Sequence, residues 1–271
     1  MIICDAFPVR ILHNYMGGDK EGLVRKTKKR SPLTWSRHFP DARGSRQSPI
    51  DINPEASQYD EALSESPIIV NYLPIAGGPL GGYEYQLTQF HLHWGPDDTS
   101  GSEHTYKGKK YPTEIHFVHY NKELYATFEE GVGAPDGLAV IGIFVETNNK
   151  KNQSFEPLSF ASMFIKRKNK TWKTGEDFNP ASLLPDTLTN YWTYNGSLTT
   201  PPPLCEKVRW IIPQLRISVT SDQLQPFRKI CSDVHGRHVI TNNYREPLPL
   251  FGRKISASFK YWEDAEDAED A

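Results

Sequence analysis

Cysteine is scarce: three residues, Cys4, Cys205 and Cys231, in a chain of 271. Widely spaced and odd in number, they form neither a disulfide framework nor a zinc-thiolate pattern, and a reducing compartment suits them. No apolar run approaches the roughly 20 residues of a membrane helix. The N-terminus lacks a continuous apolar stretch before a small-residue cleavage site, so no secretory signal is expected and the expected location is cytoplasmic. Charge of one sign is missing too. With 31 Lys and Arg against 33 Asp and Glu, the formal net charge is −2, which argues against nucleic acid or an anionic membrane as partner of the whole chain. No internal repeat occurs between the two ends of the chain, and the absence of an H-E-x-x-H sequence argues against a helical zinc peptidase.

Aromatic residues, by contrast, are plentiful: 13 Phe, 13 Tyr and 6 Trp, enough for a sizeable core. Pro and Gly punctuate short segments throughout, as in "SPIDINPE", "GGPLGG", "GAPDG" and "TTPPPL". The segments between them, such as "YQLTQFHLHW", "EIHFVHY", "LAVIGIFVE" and "VRWIIPQL", are β-branched and aromatic and predict strands. The expected fold is mainly β (α+β), a single domain around a large, mostly antiparallel twisted sheet with a few short peripheral helices. Residues 1–30 carry seven basic against three acidic residues and read as a basic, poorly ordered arm. The domain is expected over residues 31–262, and the triplet repeat "EDAEDAEDA" at 263–271 reads as an acidic tail.

Chemistry concentrates in three stretches. In "QFHLHWG" at 89–95, strand alternation puts His91, His93 and Gln89 on one face and Phe90, Leu92 and Trp94 on the other. That geometry suits two nitrogen ligands of one ion, and equally a hydrogen-bonded pair of structural histidines. In "TEIHFVHYN" at 113–121, His116 and His119 point to opposite faces. Glu114 shares the face of His116 and could accept its free ring N–H, as metal-bound histidines require. This favours His116 as third ligand and leaves His119 as a core histidine. Three neutral imidazoles leave the fourth tetrahedral position of zinc open, the arrangement of a catalytic site. The third stretch places Thr199 and Thr200 before the prolines at 201–203; in isolation it reads as a well-made turn. Glu103 could accept a proton from a buried threonine hydroxyl, although no sequence feature brings the two together.

These stretches, with "RGSRQSPIDI", "GSEHT", "PDGLAVIGIFV", "LLPDTLTNYWTYNGSLTTPPP" and "NNYREPLPLFGRKISASF", resemble in content and order the α-class carbonic anhydrases, over about residues 33–259. The resemblance implies Zn2+ held by His91, His93 and His116, with Gln89, Glu114 and Asn243 orienting these ligands and His104 as a buried structural histidine. It implies that Thr199 and Glu103 form a catalytic proton relay and that Thr200 lies beside the bicarbonate site. Val118, Val140, Leu198, Val208 and Trp210 would form the apolar wall that holds CO2. The implied reaction is reversible hydration of CO2 to bicarbonate and a proton by zinc-hydroxide attack, in a monomer inhibited by sulfonamides and anions.

Two departures stand out. Between "SPIIVNY" and "GGPLGGYEYQL" the chain has only "LPIA", where the family has a pair of strands and the histidine that shuttles protons. No histidine lies between His38 and His91. The family's N-terminal aromatic motif is also absent. Slow proton transfer and an unpaired sheet edge or gap beside the active site are therefore expected. The alternative is a catalytically impaired, carbonic-anhydrase-like binding or interaction module, against which the three intact histidines speak.

Overall fold

The computed structural model describes residues 2–5, 8–11, 35–71, 74–173, 178–201 and 205–261, the first two segments as backbone only. In chain order the strands are β1 (Ile2–Asp5), β2 (Pro8–Ile11), β3 (Asp51–Ile52), β4 (Gln58–Tyr59), β5 (Ile68–Val70), β6 (Pro74–Ala76), β7 (Tyr85–Trp94) and β8 (Thr105–Tyr106). They continue with β9 (Thr113–Asn121), β10 (Leu138–Thr147), β11 (Thr171–Lys173), β12 (Thr187–Leu188), β13 (Tyr191–Gly196), β14 (Val208–Pro213), β15 (Ile217–Val219) and β16 (Ser256–Ala257). Among the described residues the longest helix is Glu156–Phe164, nine residues. The protein is thus mainly β, as its β-branched and aromatic segments predict.

One 14-stranded sheet dominates, its main path running β11-β2-β1-β7-β9-β10-β14-β13-β16-β4. Neighbours on that path are antiparallel except β10–β14 and β16–β4. The three central strands β7, β9 and β10 alternate strictly over the region that matters. Phe90, Leu92, Trp94, Ile115, Phe117, Ile141 and Ile143 belong to one buried cluster. Val118, Val140, Val208, Trp210 and Ile212 belong to a second one. Because successive side chains leave a strand on opposite faces, the second cluster shares its face with His91, His93, Glu114 and His116. A register shift between Leu87 and Gln89, opposite His119 and Val118, sets this phase on β7. It is a β-bulge, which re-aims the side chains that follow it.

The expected open edge beside the histidine strand is not there. β6 pairs with β7 at Tyr85 and Gln86. Further along, β1 pairs antiparallel with β7, with Ile3 opposite His91 and Asp5 opposite Gln89. β2 folds back on β1 and passes on to β11, with Val9 opposite Trp172. The N-terminal hairpin therefore occupies the edge that the short "LPIA" connection leaves uncovered. Within residues 1–30, expected to be a poorly ordered arm, Ile2–Asp5 and Pro8–Ile11 are strands. The physical reason is local composition. "IICD" and "PVRI" are rich in β-branched residues, and the basic cluster at 25–30 that dominates the composition lies downstream. The remainder of that arm and the tail at 263–271 lie outside the described residues.

Candidate metal centre

His91 and His93 lie two apart on β7 and His116 faces them from β9, in register with His91. One ring nitrogen from each falls within 4.8 Å of the others, and the ring centroids are 4.6–5.1 Å apart. All three are buried, His91 being the most exposed at 6%. The outer nitrogen of each ring is tied down. His91 Nδ1 donates to Gln89 Oε1 at 2.9 Å. His93 Nδ1 donates to the Asn243 carbonyl at 2.8 Å. His116 Nε2 donates to Glu114 Oε1 at 2.7 Å. These bonds fix the tautomers and leave Nε2 of His91, Nε2 of His93 and Nδ1 of His116 as the converging lone pairs.

The electrostatics favour a cation. Burial, followed by the neighbouring rings, holds the pKa of His91 and His93 well below the ordinary histidine value. Burial also lowers His116, against the pull of Glu114. All three are therefore neutral donors at pH 7, the form a metal needs. His93 Nε2 is buried and has no partner among the described residues. Leaving such an atom unpaired costs about 1–3 kcal/mol, so an orphaned nitrogen aimed into a ring of two others fits a three-nitrogen zinc site.

Glu114 anchors the arrangement. Its Oε1 accepts from His116 and from His104 Nδ1 at 2.7 Å, and its Oε2 accepts from the backbone N–H of Glu103 and His104, both at 2.8 Å. Burial works to raise its pKa, but the two histidines outweigh burial and hold the carboxyl well below its usual range. His104, Glu114 and His116 also form a close trio, which these hydrogen bonds account for without an ion. From His104 the chain runs on: Tyr194 donates to His104 Nε2 at 2.7 Å, and Ser48 donates to the Tyr194 oxygen at 2.8 Å.

Glu103 is 1% exposed and sits beside the triad, 3.5 Å from His93 Nδ1 and 3.9 Å from His116 Nδ1. Its Oε1 accepts the Arg245 backbone N–H at 2.8 Å, while Oε2 lacks a partner in good geometry. Burial pushes its pKa up to about 8, and the adjacent Thr199 hydroxyl pulls the other way. Thr199 is buried at 4%, and Thr200 half-buried. Val118, Val140, Val208 and Trp210 lie in one cluster, with Leu198 packed against it. Trp210 stands over His116 with centroids 4.8 Å apart. His119 turns to the other face, buried and bonded to the Phe117 carbonyl at 3.0 Å.

Two contributors, Arg245 and Tyr194, escape sequence reasoning, and Asn243 does more than the resemblance implies. Arg245 reaches Glu103 through its backbone and Gln47 and Ser48 through its guanidinium. Tyr194 extends the Glu114–His104 chain. Asn243 also accepts the Trp94 N–H on Oδ1 at 2.7 Å, locking β7 beside His93. All three act across long sequence separations, and no local pattern marks Arg245 or Tyr194.

Over residues 63–259 the sequence matches the family described as eukaryotic-type carbonic anhydrase. It is 40% identical over 256 residues to carbonic anhydrase 1 of Monodelphis domestica, covering 84% of this chain and 95% of that one. It is 39% identical over 256 residues to carbonic anhydrase 7 of Homo sapiens, with 84% and 94% covered. Since 84% of this chain falls well short of 256 residues, these alignments carry gaps on this chain's side, in keeping with an internal deletion.

Proposed function

The chain belongs to the eukaryotic-type carbonic anhydrase family, and from that premise we propose that His91, His93 and His116 hold zinc for the reversible hydration of CO2 to bicarbonate and a proton. The observation that carries this assignment is the set of three converging ring nitrogens, each presented by a ring whose other nitrogen is already bonded. When bound, zinc supplies the Lewis acidity that makes water a nucleophile at neutral pH, for which carbonic anhydrase is the standard example.

The remaining work falls to the chain's own residues. Gln89, Asn243 and Glu114 keep the three rings aimed, and Glu114 adds basicity to His116. Thr199, with Glu103 as its acceptor, fixes the direction of a proton in the site, so that an oxygen lone pair faces the substrate. The Arg245 N–H on Glu103 Oε1 leaves Oε2 to accept from Thr199, in the ionised form that a bound zinc cation would favour against burial. Val118, Val140, Leu198, Val208 and Trp210 provide an apolar wall for CO2, which offers little to hydrogen-bond, and Thr200 meets the more polar product. Residues 39–90 contain no histidine to carry protons out, so proton release limits turnover.

Zinc content measured together with stopped-flow CO2 hydration tests the assignment. About one zinc per chain and sulfonamide-sensitive hydration are expected. Zinc-loaded protein without activity, or protein that retains no zinc, would overturn it.

A further inference from the structure

A second charged site lies away from the histidines. The turn after Leu250, the segment at Ser45–Arg46 and strands β13 and β14 enclose a cleft of about 540 Å3, within the size range of small-ligand sites. Its lining includes Arg46, Arg209, Arg253 and Lys254, together with Asn195 and Ser256, and no carboxylate. Four cations on one concave surface repel one another unless an anion sits among them.

The bonding of the four differs in an informative way. Arg253 is held rigidly by neutral acceptors: Nε donates to Leu250 O at 2.9 Å, Nη1 to Asn195 O at 3.2 Å, and Nη2 to Gln47 O at 2.8 Å and Pro249 O at 3.1 Å. Carbonyl oxygens fix its geometry without cancelling its charge. Arg209 is half-buried, yet among the described residues its guanidinium makes no hydrogen bond or ion pair. The exposed Lys254 side chain likewise makes none. Burial disfavours the charge on both Arg209 and Arg253; Tyr194 and Glu206 offset this in part at Arg253, where Arg46 adds repulsion, and Asp136 offsets it in part at Arg209. The nearest acids are accounted for. Glu206 accepts Arg46 N–H and Gln47 Nε2 at 2.8 and 3.1 Å, and Asp136 acts on Arg209 only at a distance.

We propose that this cleft binds a small phosphorylated ligand, with Arg209 and Lys254 contacting the phosphate and Arg253 as the fixed cation behind them. Guanidinium forks match phosphate oxygens in pairs, and Asn195 and Ser256 add neutral donors. Several cations exceed what a lone carboxylate requires, so a phosphomonoester is preferred over a simple organic acid.

Isothermal titration with glycerol 3-phosphate, inorganic phosphate and acetate tests this, using zinc-loaded protein whose histidine site is closed by a saturating sulfonamide. Saturable binding of glycerol 3-phosphate and phosphate is expected, with acetate at least ten-fold weaker. Arg209→Gln and Lys254→Glu should each weaken phosphate binding ten-fold or more while leaving the melting temperature and CO2 hydration unchanged. Lys254 is exposed, so that variant stays informative if Arg209→Gln fails to fold. Absence of saturable binding, equal binding of acetate, or unchanged affinity in Lys254→Glu would each overturn the proposal.

Discussion

Replacing Gly142 by alanine should damage the candidate metal centre without touching any of its three histidines. Gly142 lies on β10, in register with His116. A Cβ there would stand 2.9 Å from Glu114 Oε1, 3.0 Å from Ile212 Cδ1 and 3.2 Å from Trp210 Cζ3. Side-chain ends can often yield by a few tenths of an ångström, but these cannot. Glu114 accepts four hydrogen bonds, two on each oxygen. Ile212 and Trp210 are 0% and 1% exposed. Overpacking of this kind costs about 1–3 kcal/mol, offset by about 0.5–1 kcal/mol because alanine suits a strand better than glycine. A net loss of about 1–2 kcal/mol lowers the melting temperature by roughly 2–8 °C in a chain of this size. Moving Glu114 also loosens His116, and loss of an outer hydrogen bond typically weakens a metal site about 10–100-fold. Thermal melts and zinc competition against a chromophoric chelator measure the two effects. A Gly142→Ala protein with unchanged melting and unchanged zinc affinity would refute the claim that Glu114 is immovably packed.

Four further outcomes are expected. Thr199→Ala should lower CO2 hydration by roughly 100-fold while zinc content, measured by atomic absorption, stays the same; a loss of zinc would mean the residue acts structurally. Adding imidazole buffer should raise turnover by a factor of about 10² or more, and a rate in stopped-flow that ignores buffer would contradict slow proton release. Buried His119 has a pKa lowered from 6.5 to about 3 by burial. The unfolded chain therefore takes up a proton that the fold refuses, and stability falls by about 1.4 kcal/mol per pH unit as pH drops below about 6.5. Urea melts of His119→Gln at pH 6 and pH 5 should show a shallower loss by that amount, and an equal slope would rule the linkage out. Deleting residues 1–11 should expose β7 along Gln89–His91 and promote self-association, seen as higher oligomers by size-exclusion chromatography; a monomeric deletion product would argue against the pairing.

Much of the site is written locally. "QFHLHWG" and "TEIHFVHYN" state their own alternation, and with it which histidines share a face and which stands apart. The mainly β architecture follows from the same segments. What could not be read was contact between distant segments: Arg245 on Glu103, the Asn243 amide on the Trp94 N–H, and the chain from Glu114 through His104 to Tyr194. The N-terminal strands were hidden for another reason. Eight residues with strand character are outweighed by a longer basic run, and a composition taken over thirty residues averages the two. The short connection "LPIA" was legible in the sequence, but the strands that cover β7 were not, because pairing partners leave no mark on either sequence.

The hairpin at Ile2–Ile11 also has a bearing on how the molecule assembles. Ile3 finds its partner at His91 and Val9 at Trp172, so a ribosome delivers the hairpin long before either partner exists. Its docking has to wait for the centre of the chain, and closing so long a loop adds entropy against early pairing. In the interval β7 carries His91 and His93 on a strand whose outer neighbour has not arrived. The order of construction thus leaves the histidine strand open to competing strands until β1 and β2, made well before it, return to cover it.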